Sequence, residues 1–200
     1  MSDFFEVVGR QRAHRRFTDD PVDDGTVERL LWAATQAPSA ENTQPWEFIV
    51  VRDAAARAQL ADLARRAWEG GGRDYSRPRL DAAVFEDVEQ ANVGGGLATA
   101  PVWIVVAADT GAVHESTVGS SIFPAVQNLL LAATAEGLGS ALTTISLTFV
   151  DEVRELLGLP GHVRAMAAVP IGHPARRLGP PRREPVSTRA HSERHGQRWP

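Results

Sequence analysis

Apolar residues follow two rhythms along this chain, three- and four-residue spacing in some stretches and unbroken runs in others. Helical spacing predicts a short helix over 3–9. A second helix opens at Asp23 or Asp24, either of which can cap it, with Val27, Leu30, Leu31 and Ala34 on one side. It must stop before Pro38, which cannot continue a hydrogen-bonded turn. A third begins at Asp53, turns Leu60, Leu63, Ala67 and Trp68 inward, and ends at the glycine triplet 70–72. The longest covers 117–136, with Ile122, Val126, Leu129, Leu130 and Ala133 in line and Gly137 placed to terminate it. Thr148 and Asp151 form a capping-box pattern for a last helix that ends near Gly158. Three runs read as strands: 46–51, and the continuous apolar segments 102–108 and 165–171, which suit a buried sheet.

These elements alternate irregularly and without an internal repeat, which predicts an α+β layer fold around a small sheet. Residues 73–99 are the least patterned. With a second glycine triplet at 94–96 they read as a mobile flap around a short helix. From Pro174 the chain is rich in proline and arginine and poor in apolar residues, so it cannot build a core alone. It must lie on something or stay solvated.

Composition narrows the function classes. Two hundred residues, 43% of them hydrophobic, suit one domain with a sizeable core. The absence of cysteine excludes disulfides, thiol nucleophiles and Cys-ligated metal. No uninterrupted apolar stretch approaches the ~18 residues of a membrane span, and the N-terminus lacks a signal-peptide core; the expectation is a cytoplasmic protein without membrane contact. All 21 basic residues are arginine, yet net charge is −4, which argues against a nucleic-acid partner.

Two arginine clusters, 10–16 and 181–184, are either solvated charge or the halves of a split phosphate site, since guanidinium forks match phosphate oxygens. The glycines of "GLGSAL", 137–142, do not make a dinucleotide loop: a helix precedes them, and Leu142 stands where the last glycine belongs. No G-x-S-x-G elbow occurs. His191 and His195 could share a metal if the tail were helical, but no third ligand is near in sequence, and no metal site is expected. That leaves "APSAENTQPW", 37–46. Its prolines and Trp46 suit a helix end and a strand start, but Asn42 and Gln44 exceed what a connector needs. Side-chain amides offer donor and acceptor together, as does the edge of a heterocycle.

Several segments, in order, resemble the FMN-dependent nitroreductase family. "APSAENTQPWEFIVV" is similar to its A-P-S-x-x-N-x-Q-P-W strand entry, and "QRAHRRF" with "DDPV" to its basic R-R-S-x-R-x-F entry. "NLLLAATAEGLGSALTT", "LLGLP", "VPIGHP" and "PPRREPV" complete a likeness running from about residue 5 to 186. The resemblance implies one domain over 1–186 with a tail at 187–200, built on a central mixed, mostly antiparallel sheet flanked by helices. Two chains would interlock as a homodimer, each tail crossing the other. FMN would lie at the interface. Gln11, Arg12, Ala13 and Arg15 would hold its phosphate and ribityl end, joined by Arg182 and Arg183. Pro38, Ser39, Ala40 and Asn42 would meet the ring from the other chain, with Gln44 and Trp46 fixing the strand that presents them. Leu142, Thr143 and Thr144 would cover the opposite edge with a backbone N–H near N5. Gln11 stands where the family more often has arginine, and Ala13 where it has serine. The implied activity takes hydride from NADH or NADPH and reduces an electron-poor small molecule, a nitroaromatic or quinone, by a ping-pong mechanism with no catalytic side chain of the protein's own. Relatives with the same fold break down flavin or remove halogens, and a binding module with little turnover is the other alternative.

Overall fold

Aspartates start four of the helices in the same way. In the computed structural model, which describes residues 3–199, Asp3 accepts the Phe5 N–H at the head of α1 (Phe4–Arg10), and Asp23 accepts Thr26 N–H at the head of α2 (Asp24–Thr35). The strand β1 (Trp46–Val51) follows, and Asp53 then caps α3 (Ala54–Ala67) through Ala56 N–H. A short α4 (Arg73–Ser76) precedes α5 (Ala82–Asn92), capped by Asp81 through Val84 N–H. Each carboxylate satisfies one of the donors a helix leaves open at its first turn. The remaining elements are β2 (Val102–Asp109), α6 (Glu115–Ala135), β3 (Gly139–Ser140), α7 (Val150–Leu157) and β4 (Val163–Gly172). Met1 and Ser2 of the expected domain and Pro200 of the expected tail lie outside the described residues.

The four strands order as β1-β2-β4-β3, and every strand pair is antiparallel. Among the described residues, parallel pairing is confined to an isolated bridge between Ala13 and Ser140. β2 is central and buried on both faces, which is why its sequence runs apolar without alternation. Val102, Ile104, Val106 and Ala108 join α2 and α6 in one core layer. Trp103 and Val105 join Leu60 and Ala64 of α3 on the other side. Among its buried residues, α6 sets Ile122, Val126, Leu129 and Ala133 against the sheet. Its best 18-residue window has a mean hydropathy of 1.3, enough by length and composition for a membrane span, but here that stripe is core.

Four local expectations are corrected. The triplet 70–72 does not end α3: the chain runs on through one π turn, Trp68–Gly72, into α4, with Gly71 at φ 141°. Trp68 is buried and its indole N–H bonds Glu89, so the extra residue is absorbed where glycine can take the φ. Ala64, rather than Ala67, faces the core. The capping box at Thr148 does not form. Thr148 belongs to the preceding 3-10 turn, Ile145–Leu147, and spends its hydroxyl on Ile145 O, leaving Phe149 at the N-cap without a side-chain bond. Finally, 73–99 is mostly helical, because Asp81 caps an eleven-residue α5 whose Ala91 and Asn92 are buried.

Candidate functional site

Phe17 anchors the first half of the site. Its buried ring seats residues 11–18 against the open end of the sheet: His14 N–H bonds Ser140 O, and Thr18 N–H bonds His173 O. Two glycines allow this approach. A Cβ on Gly139 would lie 2.8 Å from His14 Cβ, and one on Gly172 2.6 Å from Pro101 Cδ and 3.1 Å from Phe17 Cβ. Burial lowers the His14 pKa, with the Arg12 and Arg176 charges acting the same way and Asp87 opposing. The imidazole is therefore neutral near pH 7.

The start of the tail lies along this segment. Ala175 N–H bonds Arg16 O, and Arg12 reaches Gly179 O. Between them opens a cleft of about 720 Å³ that brings together Gln11, Arg12, Ala13, Arg15, Leu142, Arg182 and Arg183, seven of the thirteen residues singled out in the sequence. Five arginines line it against two aspartates, with Leu130, Val84 and Leu142 as apolar wall. Arg183 bonds only the Arg182 carbonyl, so its guanidinium carries no ion pair among the described residues. Arg15, by contrast, is paired with Asp87 at 2.8 Å.

The sequence did not single out Asp81, Asp87 and Arg176 as residues of this cleft. Asp81 has a visible signal as a cap before an apolar run. Asp87 and Arg176 lie 72 and 161 positions from Arg15, and only the placement of α5 and the tail brings them to it.

Leu142 is exposed at the cleft wall. Thr143 is not part of the lining: its N–H and C=O are both engaged with Ala168. Thr144 also lies outside the lining; it is exposed, and among the described residues its N–H and that of Leu142 have no partner.

Pro38, Ser39, Ala40 and Asn42 form a separate loop outside this cleft. Buried Ser121 of α6 accepts the Ala40 N–H at 3.1 Å, Ser39 Oγ accepts Gln44 N–H, and the Thr43 hydroxyl donates to Ala40 O. Within this frame Glu41, Asn42 and Gln44 all hold left-handed backbone, φ 54°, 56° and 49°. Such conformations cost non-glycine residues energy and persist where the surroundings over-determine them. The Asn42 carboxamide is exposed and has no partner among the described residues. Trp46 packs on the core as expected. Gln44 does not brace the strand: its side chain is exposed, and only its backbone N–H is held. At the tail's end His191 and His195 do approach, with ring centroids 4.5 Å apart, but in a turn and not on a helix. Among the described residues no three potential ligands gather for a metal.

The sequence profile of the nitroreductase family matches residues 8–173. An NADH dehydrogenase of Thermus thermophilus is 31% identical over 191 residues, covering 88% of this chain and 89% of its own length. A 5,6-dimethylbenzimidazole synthase of Rhodospirillum rubrum is 32% identical, covering 82% and 78%. Among solved structures, a protein of Desulfovibrio desulfuricans described as a nitroreductase and solved in complex with FMN is 27% identical. It covers 97% of this chain and 98% of its own, with a TM-score of 0.72.

Proposed function

This chain belongs to the nitroreductase family, and on that premise we propose that it binds FMN and acts as an NAD(P)H-dependent oxidoreductase on an electron-poor small molecule. The observation that carries the reading is the cleft, where arginines from both ends of the chain meet an apolar wall. That combination fits a phosphate joined to a flat, largely apolar ring. Arg12, Arg182 and Arg183 take the phosphate end, and Gln11 and the Ala13 backbone border the ribityl chain. Leu142 covers the ring, and the unpartnered Thr144 N–H offers it a fixed donor. FMN supplies a two-electron carrier, and the protein supplies position and electrostatics. Among this chain's residues none is assigned as acid, base or nucleophile.

The amide loop is no part of the cleft lining. Two copies resolve this if Asn42 of one lends its donor and acceptor to the ring edge held by the other. A homodimer is further supported by the exposed aromatic rings of Trp32 on α2 and Phe123 on α6, with Phe4 and Phe5 on α1, a helix that also packs on α6. Exposed rings of this size gain most by burial against a partner. The exposed tail beyond Pro181 then has a surface to cross. The Thermus relative named NADH dehydrogenase supports a nicotinamide donor. The acceptor we propose is of the nitroaromatic or quinone type.

Purified protein tests the reading directly. It should be yellow, release FMN and not FAD on denaturation, bleach under NADH or NADPH, and regain colour with a nitroaromatic or quinone. Initial rates should give the parallel lines of a ping-pong mechanism. Protein that stays colourless in excess FMN overturns the proposal. Yellow protein that does not bleach assigns it to other flavin chemistry.

A further inference from the structure

Asp87 sits where an anion would be expected. Its two carboxylate oxygens divide between two cleft arginines, Oδ2 to Arg15 at 2.8 Å and Oδ1 to Arg176 at 2.6 Å. The Asp87 side chain is 18% exposed and that of Arg15 26%, so this pair is partly shielded from solvent, whereas the Arg176 side chain is 54% exposed. A carboxylate clasped between two guanidinium groups has the recognition geometry of a phosphate in the same place. The carboxylate carries one charge and two acceptor oxygens. A phosphate monoester carries close to two charges at neutral pH and three terminal oxygens.

The helix that carries Asp87 is held mainly on the side away from the cleft, where the Phe85 ring lies 5.7 Å from that of buried Trp68. Of the eleven residues of α5, only Ala91 and Asn92 are buried, and Val84 stands 40% exposed on the cleft side. Its far end is pinned: Gly96 packs so closely that an added Cβ would lie 2.7 Å from Arg15 O. Its inward side is tied by Glu89, which takes Arg73 and the indole of buried Trp68. On the cleft side the described hydrogen bonds and ion pairs leave Asp87 as the polar tie.

We propose that Asp87 is an internal competitor for the phosphate site, so that a phosphate-bearing ligand takes Arg15 and Arg176 from it and releases α5 from the cleft. Arg176 is then a phosphate ligand that Asp87 holds in place. Phosphate occupancy and the freedom of α5 are two ends of one equilibrium, and each must bias the other by the same factor. The inference rests on the cleft being the phosphate end of the flavin site, but its test does not depend on FMN alone.

Amide hydrogen exchange over residues 82–92 of the full-length protein reads the latch. FMN and inorganic phosphate should each raise exchange there three-fold or more; riboflavin should not. Asp87→Asn should raise exchange without ligand, abolish the increment, and tighten FMN binding several-fold with riboflavin affinity unchanged. Arg176→Gln should also loosen α5 but weaken FMN relative to riboflavin, which separates the two roles and stands as an independent arm if one variant folds poorly. If FMN does not bind but phosphate still loosens α5, the cofactor reading fails and the latch stands. If FMN binds while α5 exchange is unchanged, or if Asp87→Asn weakens FMN, Asp87 merely positions Arg15 and the latch is overturned. If neither FMN nor phosphate alters exchange, it is overturned as well.

Discussion

Asn42 holds a left-handed backbone in a loop fixed by Ser39, Thr43 and Ser121, with its carboxamide facing outward. If that amide meets a flavin edge, Asn42→Leu leaves the edge unpaired at a cost of about 1–3 kcal/mol. Flavin affinity should fall about ten-fold or more with the fold intact, measured by fluorescence titration; an unchanged constant would make Asn42 a turn residue only. Arg183, by contrast, bears on the phosphate. Arg183→Ala should weaken FMN more than riboflavin, and equal losses would place it elsewhere. The sequence marks Asn42 because a plain turn does not need its amide, and the fold leaves that amide exposed and without a partner among the described residues. Gln44 was misread because its left-handed backbone swings the side chain outward, a geometry no spacing rule conveys. The Arg15–Asp87–Arg176 triplet was not legible at all, since it depends on how a helix 72 residues from Arg15 is laid down.

The same contrast holds for elements. Helices with a regular stripe and a local end signal, such as α2 with its Asp23 cap and α6 with Gly137 behind it, were readable because both signals are local. β3 has two residues, too few to show a period, and exists because β4 and the segment 11–18 offer it partners on either side. That segment makes a pH-dependent contribution through His14. Its folded pKa is lowered from 6.5, so the unfolded chain takes up the proton first as pH falls. Stability should therefore decline as pH drops below about 6.5 and level off beneath the depressed folded value. Urea midpoints at pH 7.5 and 5.5 should differ less in His14→Gln than in the wild type; an equal difference would assign the slope to other groups.

At the scale of the whole molecule, the tail and the aromatic face make the dimer testable. Cutting after Gly179 removes Arg182 and Arg183 and should weaken dimer and FMN binding together, because a ligand bound only by the dimer stabilises it by mass action. A truncated chain that sediments as a dimer and stays yellow would show the tail to be an appendage. Trp32→Arg should shift the protein toward monomer in the same measurement. The order of the strands also governs how the chain is made. β2 is central, yet one of its neighbours, β4, begins 28 residues after α6 ends. At ribosomal speed of about 5–20 residues per second, that gap leaves α6, already able to pack on α2 and β2, without the β4 part of its core for roughly one to six seconds. Throughout this interval the side of α6 that meets β3 and β4 stays uncovered, on a segment apolar enough to pass for a membrane span. Chains arrested before β4 emerges should therefore be protease-sensitive and held by chaperones, whereas chains arrested after it has cleared the tunnel should be resistant. Slowing translation between α6 and β4 should lower the yield of folded protein more than the same pause placed after residue 172.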